Sequence, residues 1–295
     1  MLTVSTAARY RNLTTLQRLL RDLKDVGVGA EDAERLRAMI AGASAAVESF
    51  CGRVFRREVV VVTIAGYGRN QMVLERTPII GTPTILYDNS PVTDHVVESA
   101  AAGILYRRYG WDDLAQVGWG VERYFRQNQE DRLYVVTYTG GYLLPEDDYE
   151  AATLSVAAAD KSLNDSASLL PLVAAGDIIE TSGFATAANN GRWTVVSRTA
   201  AKIIVSEAGF VNELAGASGD PPRIACRTLP ADVEDATVEV VKAAWLGRGR
   251  DPTIARKSVG DLDVQYRDGA DPLMGAQGLP WTAVGKLTPW RRVRI

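Results

Sequence analysis

Apolar positions near the beginning of the chain recur at intervals of three and four residues, which predicts an amphipathic helix. The stripe consists of four leucines: Leu13, Leu16, Leu20 and Leu23. Thr14 and Gln17 have the spacing of a capping box, so the helix is expected to begin near Thr14. Gly27 is expected to end it.

Two further segments have the same helical period. One is predicted over residues 30–50, with Gly52 at its end and the apolar stripe Leu36, Ile40, Ala43, Val47 and Phe50. The other is predicted to begin at Pro230, because proline is favoured in the first turn of a helix. Its predicted stripe is Val233, Ala236, Val240 and Ala244.

The chain between these helices has the composition of β-strands. Strands are predicted over 58–64, 72–74, 84–87, 104–107 and 133–138, where β-branched and aromatic residues concentrate. Short strands at 178–179, 193–196 and 203–205 are separated by turn residues, which is typical of a small barrel or sandwich. The order of the elements predicts an α+β fold: a small helical bundle core, a β-rich excursion and an inserted small β-barrel or sandwich domain.

Four regions are expected, and the boundary at residue 146 depends on the family resemblance given below. The helical core is assigned residues 1–55 together with 229–268. The β-rich excursion is assigned 56–145, the inserted β-domain 146–228, and an extended C-terminal tail 269–295.

Composition narrows the class of protein. The chain has 295 residues, 46% of them hydrophobic, which is ample for a sizeable core. Its net charge of −3 gives no support to a basic nucleic-acid coat. We expect no membrane span and no signal peptide, and synthesis in the cytoplasm. Cys51 and Cys226 are expected to be free buried thiols.

Residues that could carry catalysis are sparse. The only histidine, His95, is expected to be a surface or lightly packed residue. The acidic run 146–148 is interpreted as a solvated turn rather than a calcium site. No phosphate-binding or dinucleotide-binding glycine motif occurs. We therefore assign no catalytic residues, no metal ligands and no cofactor, and predict that the chain is not an enzyme.

Two other sets of residues leave alternatives open. The arginines of 53–57 and 248–256 could contact phosphate or form ion pairs at a subunit interface. Trp111, Trp119 and the aromatic pair 124–125 could stack on a sugar or nucleotide, although core packing is the better interpretation.

Several short segments resemble a known family when they are taken in order. They are the Ala-rich helix ending in Phe50-Cys51-Gly52-Arg53, the proline-bearing strands of 74–88, the tyrosine–glycine segment 135–142, the helix start 229–236 and the segments 248–252 and 258–262. This order resembles the head–tail connector, or adaptor, proteins of long-tailed bacteriophages, and covers roughly residues 12–145 and 228–266. In that family the tyrosine–glycine segment leads almost directly into the next helix, so 146–228 is interpreted as an insertion.

The resemblance implies a structural virion protein of the neck, assembled in the host cytoplasm. Family members form a ring, usually twelvefold, that joins the portal protein to the tail, extends the DNA channel and takes part in head completion and genome ejection. The implied partners are the portal protein, a tail terminator or tail-completion protein, and further copies of the chain. Contact with DNA in the channel is expected to be weak and non-specific.

The C-terminal tail supplies a hypothesis about portal binding. Trp281 and Trp290 are proposed as anchors, with Arg291, Arg292 and Arg294 as charge partners, because tryptophan and arginine often dominate interfaces. The alternative for the tail is a terminus without a partner. For the whole protein, the alternatives are a tail or baseplate component, a carbohydrate-binding or hydrolysing module built on the β-domain, and a nucleic-acid binder using the arginine clusters.

Overall fold

A computed structural model describes ten ranges of the chain. They are residues 2–4, 11–24, 30–66, 69–87, 89–111, 133–217, 219–247, 256–259, 262–265 and 279–292. The chain forms two compact units, one made of Met1–Arg9 with Val54–Thr228 and the other of Tyr10–Arg53 with Leu229–Ile295. We call them the β unit and the helical unit.

The β unit contains fifteen strands in its described residues. They are β1 Leu2–Val4, β2 Glu58–Ala65, β3 Gln71–Val73, β4 Ile79–Tyr87, β5 Ser90–Pro91, β6 His95–Ser99, β7 Ile104–Arg107, β8 Leu133–Gly140, β9 Tyr149–Glu150, β10 Leu154–Ala157, β11 Ser162–Asp165, β12 Ile178–Ser182, β13 Gly191–Arg198, β14 Lys202–Val205 and β15 Arg223–Cys226. Short 3-10 turns lie at Pro145–Asp147 and Ala187–Asn189.

Two antiparallel sheets of the β unit share one apolar core. A five-stranded sheet has the order β1-β2-β8-β4-β5, and a three-stranded sheet has the order β3-β7-β6. Alternate residues of β2 are buried, as expected of a strand with one face on a core. The core contains Val60, Leu105, Trp111 and Tyr134, and Trp111 meets Tyr134 edge to face at 5.5 Å between ring centroids.

A seven-stranded antiparallel sheet encloses the second core of the β unit, in the order β10-β11-β14-β13-β12-β15-β9. Strand β13 pairs with β12 through its first half and with β14 through its second half, with a bulge between Val195 and Ser197. Such a bulge bends the strand, which lets both halves of the sheet face one core. That core includes Ile179, Trp193 and Phe210.

The helical unit gathers segments that are distant in sequence. Its elements are α1 Leu16–Asp22, a 3-10 turn Ala30–Asp32, α2 Ala33–Cys51, α3 Ala231–Gly247, the antiparallel hairpin of β16 Arg256–Val259 and β17 Leu262–Gln265, α4 Trp281–Leu287 and a 3-10 turn Thr288–Trp290. Leu19, Leu36, Ile40, Val241 and Trp245 belong to one core, so α1, α2 and α3 form a single body. The predicted α+β class with a small helical bundle is confirmed.

The predicted end of α2 agrees with the structure, whereas the predicted start of α1 differs by one residue. Helix α2 ends at Gly52 as predicted, and its φ of 64° is a left-handed conformation that glycine adopts readily. Helix α1 is capped one residue later than predicted, because the Thr15 side chain, and not that of Thr14, accepts the Arg18 backbone N–H. Thr14 is buried, and its hydroxyl donates to Glu234 at 3.3 Å. The predicted end at Gly27 lies outside the described residues.

The buried faces of two helices differ by one residue from the predicted stripes. In α1, Leu19 is buried, whereas Leu20 is 38% exposed. In α3, the predicted Val240 and Ala244 give way to Val241 and Trp245. The stripe predicted for α2 is buried throughout, so that prediction was correct.

The expectation of an extended tail over 269–295 was wrong for its described part, which contains α4 and the turn that follows. Leu279, Ala283 and Leu287 recur every four residues and are all buried. Burial of this stripe favours a helix over an extended chain. The division of residues 54–228 into an excursion and an inserted domain at residue 146 stays a prediction, because contacts group the whole range into one unit with two cores.

Candidate functional site

The candidates for catalysis have structural surroundings. The His95 ring Nδ1 lies 3.0 Å from the Val92 carbonyl oxygen, and its ring centroid lies 6.2 Å from that of Trp111. Trp111 is itself fully buried and donates from Nε1 to the Asn70 carbonyl at 2.9 Å, as expected of a core residue. Among the described ranges, no three potential ligands of the His, Cys, Asp or Glu type are grouped to hold a metal ion.

Two residues of the acidic run 146–148, Asp147 and Asp148, pair with arginines, which corrects the interpretation of the run as a solvated turn; Glu146 is exposed. Asp147 lies 2.7 Å from the Arg56 guanidinium and also accepts the Leu144 backbone N–H. Burial nevertheless raises the pKa of Asp147 above its usual value, and the hydrogen bond from Leu144 and the charge of Arg56 oppose that rise. Asp148 pairs with both Arg223 and Arg227. These carboxylates are therefore committed to contacts inside the β unit.

Arg57 makes the most deeply buried of these contacts. Its side chain is 2% exposed and its Nη1 lies 2.5 Å from an Asp177 carboxylate oxygen. The guanidinium also donates to the carbonyl oxygens of Gly141 and Leu172, at 3.3 and 3.0 Å. Because Arg57 begins the approach to β2 and Asp177 precedes β12, this contact joins the five-stranded sheet to the seven-stranded one.

The residues at the two boundaries of the 146–228 segment, Leu143 just before it and Thr228 at its end, are hydrogen-bonded to each other. The Leu143 backbone N–H donates to the Thr228 hydroxyl at 2.8 Å, and the Thr228 N–H donates to the Leu143 carbonyl at 3.2 Å. Gly141, with a φ of +105°, lies where an added Cβ would be 2.4 Å from the Arg56 carbonyl oxygen. Only glycine fits this close approach of two backbones.

Arg56 and Arg57 follow neither of the two alternatives that the sequence left open for the first arginine cluster, phosphate contact or ion pairs between subunits. Arg56 and Arg57 bind carboxylates of their own unit, which leaves neither guanidinium displayed for phosphate. The arginines of 248–250 lie outside the described residues, and nothing is described of the Arg256 side chain.

The C-terminal segment, which we define as residues 279–292, carries four of the five proposed portal-binding residues. Leu279, Ala283 and Leu287 bury one face of it within the helical unit. Lys286 reaches Glu239 of α3 at 2.6 Å. Burial would raise the pKa of Glu239, but hydrogen bonds from Lys286 and Thr282 and the charge of Lys286 overcome it and lower that pKa. The hydrogen bond to Glu239 in turn raises the pKa of Lys286.

The proposed anchors are not equivalent in this segment. Trp281 is 56% exposed, whereas Trp290 is half-buried. Arg291 lies with its guanidinium carbon 5.6 Å from the Phe50 ring centroid, and the Arg292 backbone N–H donates to the Cys51 carbonyl at 2.8 Å. Both arginines therefore contact the end of α2. Arg294 lies outside the described residues.

The remaining chemical candidates are buried. Cys51 and Cys226 are free and buried, as predicted, and burial raises the pKa of the Cys51 thiol to about 11. The aromatic residues of 146–228 are buried or half-buried, and Trp193 and Phe210 pack with ring centroids 4.3 Å apart. The β-domain thus presents no exposed aromatic platform for a sugar within its described residues. Trp119 and the pair 124–125 lie outside the description.

Sequence reasoning missed the Arg57–Asp177 contact and the Lys286–Glu239 contact. The first joins residues 120 positions apart, and no spacing rule predicts such a pair. The second had a usable signal, because the four-residue period of the C-terminal segment predicts a helix that needs a partner. None of the helices in the described ranges combines the length and apolar character needed to cross a membrane.

Comparisons with known proteins give only weak structural similarities. No protein-family model matches the chain, and no curated protein matches it. A chain from the neck of an empty gene transfer agent particle, computed with C6 symmetry, has 11% identity and a TM-score of 0.41, covering 100% of this chain and 97% of that one. A chain from the virion of a native gene transfer agent particle has 15% identity and a TM-score of 0.33, with the same coverage. Scores at this level do not establish a shared fold.

Proposed function

We propose that the chain is a structural subunit of the neck of a tailed-phage-like particle, where it forms a ring that connects the portal protein to the tail. The observation that carries this proposal is that the helical unit joins helices that are far apart in sequence. Helix α2 ends at Cys51 and α3 begins at Ala231, yet their buried residues belong to one core. The resemblance stated above implies this arrangement, with a helical body from which β-structure emerges between its second and third helices.

The charge distribution supports the role of a channel subunit that does not bind the passing DNA tightly. Arg56, Arg57, Arg76 and Arg223 are each paired with a carboxylate of the β unit. The net charge of −3 also gives no support to a generally basic protein. Affinity for duplex DNA depends mainly on phosphate contacts, so the isolated protein is expected to bind DNA weakly.

Within the C-terminal segment, Trp281 is the residue that fits a partner contact best. It is 56% exposed although its own helix is anchored through Leu287 and Lys286. A large aromatic side chain held on a fixed helix loses little freedom on binding, which favours its use as an anchor. The proposed contact with the portal is therefore assigned to Trp281, while Arg291 and Arg292 hold the segment against α2.

Labelling in the particle tests the proposed location. A small tag inserted after Asp220, an exposed residue between β14 and β15, is expected to appear by electron microscopy as a ring directly beneath the portal. Particles lacking the chain are expected to be filled heads without tails. A label along the tail or at a baseplate would refute the connector role and support the alternative within the particle.

A point variant tests the proposed contact. Trp281→Ala is expected to weaken capture of the portal complex at least about tenfold, because truncating an aromatic anchor costs roughly 2 kcal/mol or more. Leu246→Ala is the control, since Leu246 is 62% exposed on the same unit. Equal portal binding by the two variants would exclude Trp281 as an anchor.

A further inference from the structure

The outer edge of β2 is filled by a strand from elsewhere in the chain. β1 pairs antiparallel with β2, with Leu2 opposite Val62, Thr3 opposite Val61 and Val4 opposite Val60. On its other side β2 pairs with β8 along all eight of its residues. β1 is therefore a short strand, paired over three residues, beside a β2–β8 pairing of eight residues.

The connection between β1 and β2 is indirect. Residues 10–53, which lie between the two strands in sequence, belong by their contacts to the helical unit. β1 and β2 are thus not a hairpin, in which a tight turn would fix the partner. The β1–β2 pairing is an antiparallel backbone register of three residue pairs, and any copy of the chain offers the same register.

The edge of β2 needs an extended partner. Its sequence from Val59 to Ile64 is β-branched throughout, and an uncovered edge of that kind promotes association with other strands. Strand addition supplies backbone hydrogen bonds that satisfy such an edge. The three residue pairs of β1 are a small contact to open, so the occupant of the edge is exchangeable.

We propose that, in the assembled ring, β1 of each copy adds to the β2 edge of a neighbouring copy. This inference rests on the proposed ring function. The contacts are identical whether β1 comes from its own chain or from a neighbour, so effective concentration decides between them. Head-to-tail exchange around a closed ring fills every edge and leaves no β1 unpaired, whatever the number of copies.

A mixed cross-link separates the two arrangements. One preparation carries Thr3→Cys and a second carries Val61→Cys, the position opposite Thr3. The two are mixed as monomers, assembled on the particle and oxidised. Because neither chain holds both cysteines, a disulfide between them forms only across copies. We expect a shift to twice the subunit mass on a non-reducing gel, from assembled particles only.

The control places the second cysteine one strand further away. Thr137 lies opposite Val61 on β8, so a cysteine there is about 10 Å from position 3, beyond the reach of a disulfide. Thr3→Cys with Thr137→Cys is therefore expected to give no dimer. The native thiols are buried, which keeps their contribution low.

Each outcome decides the matter. A dimer in assembled rings that is absent from unassembled protein supports exchange. Intact rings with no dimer, together with an internal disulfide in a chain carrying both Thr3→Cys and Val61→Cys, overturn exchange and leave the connector role standing. Failure to find any ring in the neck overturns the proposed function, and the exchange falls with it.

Discussion

The Arg57–Asp177 pair gives the sharpest test of how the β unit is held together. Asp177→Asn removes the negative charge and keeps the size of the side chain. The amide oxygen of the variant and the carbonyl oxygens of Gly141 and Leu172 still accept hydrogen bonds, but the Arg57 guanidinium, which is 2% exposed, loses the charge of its partner. A buried cation that loses its counter-charge destabilises the fold because it cannot return to water without opening the structure.

The size of the effect follows from these contacts. Removing one partner of a buried ion pair costs about 3–5 kcal/mol. The Asp177 side chain is 14% exposed and two carbonyl acceptors remain, so we expect about 2–3 kcal/mol. For a unit of this size that corresponds to a fall in melting temperature of roughly 4–12 °C.

Urea unfolding followed by circular dichroism measures the loss, and amide hydrogen exchange locates it. Exchange is expected to rise most at Ala174, whose N–H donates to Asp177 at 2.7 Å. Asp160→Asn is the matched control, because the Lys202–Asp160 ion pair is also short, at 2.7 Å against 2.5 Å, but its side chains are 35% and 58% exposed. Its expected cost is below about 0.5 kcal/mol. If the two variants differ by less than about 0.5 kcal/mol, the buried pair does not hold the sheets together.

Two further predictions concern single carboxylates. Burial would raise the pKa of Asp165, but hydrogen bonds from Thr153, Leu169 and Tyr149, among others, overcome it and lower that pKa. The ionised Asp165 carboxylate therefore stabilises the folded state above the unfolded pKa of about 4, and this stabilisation is lost as the pH falls through the lower folded pKa. Asp165→Asn should therefore flatten the fall in unfolding free energy as the pH drops below about 4, and an unchanged slope would refute this assignment. Glu239→Gln should weaken the contact of Lys286 with α3 and increase amide hydrogen exchange in α4 several-fold, with no change in the β unit. Unchanged exchange in α4 would show that its apolar face alone keeps the helix in place.

Helices α1, α2 and α3 could be predicted from sequence because their apolar residues recur with the helical period, whereas the exact buried face depends on neighbours. Helix α4 was missed because its short segment was assigned to an extended tail. In α1 both Leu19 and Leu20 fit a stripe, and only packing against the other helices selects Leu19. The same holds in α3, where Val240 and Val241 are adjacent and both apolar. Pattern alone cannot distinguish two stripes offset by one residue when both are apolar.

The contacts that organise the β unit were beyond sequence reasoning for a different reason. Arg56, Arg57 and the acidic run 146–148 look like solvent-facing charges in sequence, since such residues are rarely buried unless paired. The fold pairs Arg56 with Asp147, Arg57 with Asp177, and Asp148 with Arg223 and Arg227. The sequence-based alternatives for the arginine cluster omitted ion pairs inside one chain.

The placement of the C-terminal segment changes how portal binding is best tested. Deleting residues 280–295 would remove the exposed Trp281, but also Leu287 and the contacts of Arg291 with the end of α2. Loss of binding after that deletion would not separate a lost anchor from an opened helical unit. Because Trp281 is exposed and Leu287 is fully buried, Trp281→Ala should leave stability within about 0.5 kcal/mol, whereas Leu287→Ala should cost about 2–5 kcal/mol. Only a variant that loses binding and keeps stability identifies a contact with a partner.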